Sequence, residues 1–379
     1  MQPGWWVGRS LLRCHFASLT SSRVLLLCGR KRALTFVKAA QPTRFIRTEF
    51  HRRQDNSMSQ TLDGWQTIGQ YNVYTWSLSG VETCVVVKAD DLKLAFDMGY
   101  SIPQSITCAN VFITHGHLDH IGGVANHASK RGLFSMKKAR YYVPPHLVDF
   151  VRIVTDASFA MAVTTEALED ANIVPFAVDD TVSLPGNYSM KAFPTVHRVP
   201  SQGYILYKSV KKLKAEYVGQ PSAAIADLHR NNVDIHDVVT TPEIAYAGDT
   251  MIDVFLDPPT PDLLKVKLLI TEVTFIDHSD KKDNVQLARD RGHTHLQEIN
   301  DNAHLFKDVD HILMMHFSTK YSADFIQQHV AANIAPELKD NVQLARDRGH
   351  THLQEINDNA HLFKDVDHIL MMHFSTKYS

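Results

Sequence analysis

The chain has 379 residues, 44% hydrophobic and 21% charged, which suits one large or two medium globular domains with a real core. No run approaches the roughly 20 apolar residues of a membrane-spanning helix, and the best candidate near the amino terminus, residues 24–28, is far too short. The formal charge of −2 hides an asymmetry: residues 1–57 carry +9 and the remainder −11, so the body cannot hold nucleic acid through a general positive field and needs a local basic patch for any polyanion.

Residues 1–57 are Arg-rich, bear Ser and Thr, and contain no acid until Glu49. That composition is expected of a mitochondrial or plastid transit peptide, and a mitochondrial destination is the first expectation. The alternative is an upstream extension, with translation starting at Met58 and a cytosolic or nuclear product. The four cysteines, Cys14, Cys28, Cys84 and Cys108, form no C-x-x-C pair and no disulfide framework, which points to a reducing compartment.

From Asp63 onward the texture changes. Residues 71–76 and 84–88 are rich in β-branched and aromatic side chains and read as strands. Residues 92–97 alternate and stop before Gly99. Residues 111–114 form a short buried strand that runs into a histidine-rich turn. Helical patterns follow over 145–160 and 165–171, then strands over 189–193, 203–207, 244–247 and 268–271. A helix over 296–305 and a strand over 312–315 close the set. Strands and helices mixed in this way predict a layered α/β protein, with packed sheets inside and helices outside.

Residues 282–322 and 339–379 are the same 41 residues, letter for letter. Solenoids need at least three units to bury a continuous core, so two identical copies read as a duplication. The first copy continues into residues 323–338, which can form a terminal helix. The folded domain is therefore expected over 58–338, with 339–379 surplus to it.

The most informative segment is His115-Gly116-His117-Leu118-Asp119-His120. Three imidazoles and a carboxylate on one turn are costly to desolvate together unless something binds them, and a divalent metal is the natural answer. Two neighbouring ions could clamp an in-line displacement. Further donors sit at later strand ends: His197, Asp249 within Gly248-Asp249-Thr250, and His316. Singly, each is a weak signal. Their order and placement strengthen one another.

Taken together, these blocks resemble the metallo-β-lactamase superfamily and, within it, the tRNase Z family. The blocks are residues 113–123, 196–204, 247–250, 272–275, 292–295 and 316–321, and the likeness spans roughly 64–321. The resemblance implies a four-layer αββα sandwich and a phosphodiester hydrolase that removes the 3′ trailer of precursor tRNA. It implies two Zn2+ ions, one held by His115, His117 and His197 and the other by Asp119, His120 and His316, with Asp249 bridging. His293, Asp119 and Glu272 would serve the chemistry, His293 as the acid for the departing oxygen. His295 lies two residues away and is the alternative acid. Glu272 stands in Thr-Glu-Val-Thr where the family more often has His-Glu-Ala-Thr, and Lys320 stands where many members have arginine. Lys208, Lys211, Lys212 and Lys214 fall where the family can carry a tRNA-gripping arm, and Arg131, Lys137, Lys138 and Arg140 form a second basic candidate. Precursor tRNA is the implied partner and a homodimer the implied assembly.

Overall fold

In the computed structural model, residues 64–161, 171–277 and 284–345 are described. The expected leader, nearly all of the helix expected over 165–171, and residues 346–379 of the duplicate lie outside them. Two seven-stranded sheets face each other. The first runs in spatial and chain order through β1 (Gln66–Ile68), β2 (Tyr71–Leu78), β3 (Glu82–Ala89), β4 (Leu92–Phe96), β5 (Asn110–Phe112), β6 (Arg140–Val143) and β7 (Asn172–Pro175). The second holds β8 (Thr181–Leu184), β9 (Tyr188–Pro194), β10 (Gln202–Leu213), β11 (His236–Tyr246), β12 (Leu268–Glu272), β13 (His311–Met315) and β14 (Val342–Leu344).

Each sheet starts antiparallel and ends parallel, the change falling after β4 in one and after β11 in the other. Parallel neighbours need a crossover, and helices supply most of them. The helices are α1 (Leu118–Ile121), α2 (Val124–Leu133), α3 (Val148–Met161), α4 (Ser222–Arg230), α5 (Asp253–Leu256), α6 (Asn284–Asp290), α7 (Leu296–Asp301) and α8 (Ala323–Asn333).

Three cores follow from this layering. Between the sheets, Val85, Val87, Leu94, Phe96 and Phe112 pack against Tyr204, Leu206, Tyr246, Ile270 and Leu313. On the outer face of the first sheet, Val86, Val111 and Tyr141 meet Val124 of α2 and Val148 and Val151 of α3. On the outer face of the second, Ala245, Leu269 and Met314 meet Phe255 of α5, Ile299 of α7 and Val330 of α8. The result is the four-layer αββα sandwich. It explains why Cys84 to Val87 read as an unbroken apolar run, since β3 is covered on both faces.

The sequence reading underestimated one element. The strand expected over 203–207 continues to Leu213 as β10, paired with β11 from Tyr204↔Tyr246 out to Leu213↔His236. Beyond Lys208 this hairpin leaves the body as an arm tipped by α4. The short strands β1, β6, β7 and β8 were also unread, being three or four residues of mixed polarity. At the far edge, β14 uses residues of the duplicate, just past the boundary expected at 338.

Candidate metal centre

The histidine turn sits at the carboxyl end of β5. Val111, Phe112 and Ile113 are buried on both sides, so the strand delivers Thr114 and His115 at a fixed point. His117 has extended backbone and starts α1, a single turn that carries Asp119 and His120. Three other strand ends meet it: His197 follows β9, Asp249 follows β11 and His316 follows β13.

The side chains converge in two groups that share a border. His115 Nε2 lies 3.0 Å from His117 Nδ1, which lies 3.3 Å from His197 Nε2. His120 Nε2 lies 3.3 Å from His316 Nε2 and 3.5 Å from Asp119 Oδ2. Asp249 stands between them, with Oδ2 3.3 Å from His120 and 3.9 Å from His115, and Oδ1 3.4 Å from His316. Ligands on a tetrahedral zinc, with bonds of roughly 2.0–2.1 Å, are separated by about 3.3–3.4 Å, so these spacings suit donors that share an ion.

The outward nitrogens are fixed as well. His115 Nδ1 meets Thr114 Oγ1 at 2.9 Å, His120 Nδ1 meets Asp97 Oδ2 at 2.8 Å, and His197 Nδ1 donates to the Gly292 carbonyl at 2.7 Å. His316 Nδ1 meets Thr274 Oγ1 at 3.1 Å. Four imidazoles thus present Nε2 to the cluster, while His117 presents Nδ1. Partners of this kind set tautomer and orientation in metal sites.

The electrostatics also call for a cation. Burial raises the Asp249 carboxyl, but His120 and His316 beside it win and hold it well below the carboxylate range. Burial lowers His120, but Asp249 and Asp97 override it and hold that ring well above its ordinary value. His115 is pushed the other way, chiefly by burial and then by His120. A divalent ion could take the place of the protons that these imidazoles hold beside Asp249.

Two glycines allow the close approach. Gly248 has φ +62°, and a Cβ there would lie 2.7 Å from Thr114 Cγ2, so only glycine lets Asp249 reach the turn. Gly292 has φ +75°, and a Cβ would lie 2.9 Å from His197 Nδ1. His316 has φ +62° with a full side chain, an uncommon conformation for such a residue.

His293 lies beside this cluster. Its Nδ1 donates to Glu272 Oε1 at 2.8 Å and is 3.9 Å from Asp249 Oδ2. Burial alone would lower its pKa, but the Glu272 charge and hydrogen bond raise it to about 9. Glu272 also accepts from the backbone N–H groups of Thr250 and Thr274, at 3.0 and 3.1 Å, and from Thr274 Oγ1 at 2.5 Å. His295 is placed differently: it is buried, caps the start of α7 by accepting from Gln297 N–H, and meets the Asp277 carbonyl.

Asp97 was missed by the sequence reading. Its buried carboxylate accepts from the Thr114 N–H, Thr114 Oγ1, His120 Nδ1 and the Tyr246 hydroxyl. The only local signal was an aspartate closing an apolar strand.

The lysine cluster is divided by the structure. Lys208 pairs with Asp90 at 2.6 Å and Lys214 with Asp234 at 3.3 Å, while Lys211 and Lys212 are exposed on the arm and make no ion pair among the described residues. In the second basic candidate, Arg131 is buried and donates to the carbonyls of Ile106, Cys108 and Lys137, so it is a structural residue and leaves that patch.

The chain matches no protein-family model. It is 35% identical over 260 residues to the protein named tRNase Z TRZ2, chloroplastic, of Arabidopsis thaliana, covering 69% of this chain and 71% of that one. It is 35% identical over 273 residues to tRNase Z TRZ1 of the same plant, covering 72% of this chain and 94% of that one. Among solved structures, human tRNase Z, short form (ELAC1), overlaps 73% of this chain and 96% of its own at 17% identity, with a TM-score of 0.47.

Proposed function

This chain belongs to the tRNase Z family, and on that premise we propose that it is a zinc-dependent endoribonuclease that trims the 3′ trailer of precursor tRNA, leaving a 3′-hydroxyl for CCA addition. The observation that carries the reading is the convergence of seven imidazole and carboxylate donors beside the His293–Glu272 pair. His115, His117 and His197 would hold one ion, Asp119, His120 and His316 the other, and Asp249 both. Two ions so held would supply an acidified water and positive charge at the phosphoryl oxygens.

The protein's own groups account for the proton. Water adds at phosphorus, the bond to the 3′ oxygen breaks, and that oxygen needs a proton as it leaves. His293 donates it. The Glu272 charge and hydrogen bond favour the protonated ring, and Glu272 fixes its orientation through Nδ1, leaving the other nitrogen for substrate. Glu272 also steadies His316 through Thr274, so acid and ligand are aligned by one carboxylate.

Substrate grip falls to Lys211 and Lys212 on the arm, contacting phosphates without reading sequence. The homodimer reading rests on the outer side of α3, where Phe150, Ile153, Val154 and Met161 are 67, 65, 58 and 76% exposed and would be covered by a second copy of the same face. An organellar address is supported by the basic, acid-poor residues 1–57 and by the chloroplastic relative. The body is read as residues 58–338, and most of the duplicate as surplus.

The test is cleavage of a precursor tRNA by the purified chain. One cut, abolished by chelation and by His316→Ala but untouched by His373→Ala in the duplicate, is expected. Metal-loaded protein that hydrolyses bis(p-nitrophenyl) phosphate yet never cuts precursor tRNA would overturn the substrate in favour of a small-molecule hydrolase.

A further inference from the structure

The Asp119 edge of the metal cluster carries a group of exposed apolar side chains that the mechanism above does not use. The turn between β2 and β3 folds over this edge: Gly80 N–H donates to Asp119 Oδ2 at 3.0 Å, and Ser79 N–H donates to the Phe317 carbonyl at 3.3 Å. From the other side, Gly99 is pressed so closely on Asp119 that a Cβ would fall 1.7 Å from its carbonyl oxygen. The next residue is Tyr100, 42% exposed. Val81, on the β2–β3 turn, and Leu118, the residue before Asp119 in α1, are 51 and 79% exposed.

Tyr100 is supported from below. Its ring lies 5.9 Å from that of Trp76, inclined by 30°, and the Trp76 ring is pinned by a 2.8 Å bond from Nε1 to Glu82 Oε2. Lys130 Nζ stands 5.6 Å from the Tyr100 ring, anchored to the Ser101 carbonyl at 2.6 Å. A lone exposed Tyr or Leu means little. A backed ring beside a phosphodiester-cleaving centre, with a cation at its margin, has the makings of a stacking platform for an unpaired base.

The side of the scissile bond follows from the acid. His293 serves the oxygen that stays with the tRNA, and it packs on His197, Asp249 and His316. Among the described residues no contact joins His293 to Asp119 itself, whose partners are His120, His316 and the Gly80 N–H, and the Asp119 edge is the one open to the nucleotide that keeps the phosphate. Resting on the nuclease reading, we propose that Tyr100, backed by Trp76, stacks the base of the first trailer nucleotide and so positions the scissile phosphate over the metal ligands.

The experiment is a cycle of kcat/KM values on precursor tRNA with an ordinary or an abasic first trailer nucleotide. On the ordinary substrate, Tyr100→Ala should lose roughly ten-fold or more, the usual scale of base–aromatic stacking, and Tyr100→Phe, which keeps the ring, should restore the rate. On the abasic substrate, Tyr100→Ala should cost nothing further. A loss that persists undiminished on the abasic trailer, one that disappears only when the base on the tRNA side of the cut is removed, or no loss at all would each overturn the proposal while leaving a competent nuclease. Wild-type protein that cuts no precursor tRNA would overturn the nuclease reading and this inference with it.

Discussion

Asp97→Asn tests whether the metal ligands depend on a carboxylate outside the cluster. Asparagine has nearly the same volume and tolerates the left-handed backbone found here, φ +55°. What changes is accepting capacity. Asp97 Oδ1 accepts from the Thr114 N–H at 2.8 Å, and Oδ2 accepts from His120 Nδ1 and the Tyr246 hydroxyl, each at 2.8 Å. An amide offers one oxygen. With that oxygen on Thr114, its NH2 group faces His120 and Tyr246. The hydroxyl can turn round. The imidazole can relieve the clash of donors only by moving its proton to Nε2, which faces the cluster, and a protonated Nε2 cannot ligate. Losing a charge-assisted hydrogen bond costs about 1.5–3 kcal/mol, and losing an outer partner of a metal-bound histidine costs roughly ten- to a hundred-fold in metal affinity. Competition against a chelator of known affinity measures the second quantity, and urea unfolding of the metal-free protein the first. Protein that loses stability but binds metal as tightly as wild type would refute the tautomer argument, because the damage would then be packing alone.

Burial holds His127 down at about 4, its Nδ1 2.7 Å from the Tyr141 hydroxyl and its Nε2 3.0 Å from the Ser105 carbonyl. Its folded pKa lies below the unfolded one, so its contribution is intact above about pH 6.5 and falls by about 3 kcal/mol as pH drops to 4. His127→Gln should flatten that acid limb of the urea midpoint, and an unchanged limb would count against it. Lys211→Ala with Lys212→Ala should raise KM for precursor tRNA several-fold and reduce its salt slope by about one per lost phosphate contact, whereas Lys208→Ala, whose charge Asp90 already meets, should do less. Phe150→Asp with Ile153→Asp should convert a dimer to a monomer in sedimentation, and an unaltered species would remove that face of α3 from the interface. Truncation after Leu338 strips β14 and should leave the protein about 2 kcal/mol less stable than truncation after Ala345, from the part-buried Val342 and Leu344; equal unfolding midpoints for the two would refute this.

The site was legible where its parts are contiguous. Four donors within six residues have few explanations, and strands rich in Val, Ile and Phe announce where such a turn must lie. Legibility failed where meaning comes from a distant partner. Asp97 closes an apolar strand as many turn residues do, and only Thr114, His120 and Tyr246 arriving from two other strands give it a role. Lys208 and Lys211 look equivalent in the sequence, but Asp90, 118 residues from Lys208, neutralises one and not the other. Arg131 looked like surface charge, and its buried guanidinium instead closes three backbone carbonyls.

The duplicate makes the same point with identical letters. Asn-Val-Gln-Leu-Ala occurs at 284–288, inside α6, and again at 341–345, where its middle three residues are β14. Intrinsic preference cannot separate two copies of one string, so neighbours must. At 284 the Asn side chain ties back to Asp277, Arg289 pairs with Glu298, and Gly292 ends the turn, all of which favour a short helix. At 341 the chain has passed α8 and a short helical turn over Pro336–Leu338, with Leu338 already buried, and lies directly beside the open edge of β13. Ile312 N–H donates to the Asn341 carbonyl, and Ala345 N–H donates to the Met314 carbonyl. An unpaired strand edge in a half-buried sheet offers several backbone hydrogen bonds at once, and that exceeds the few tenths of a kcal/mol per residue by which this sequence prefers a helix. The sheet edge, rather than the string, decides what those residues become.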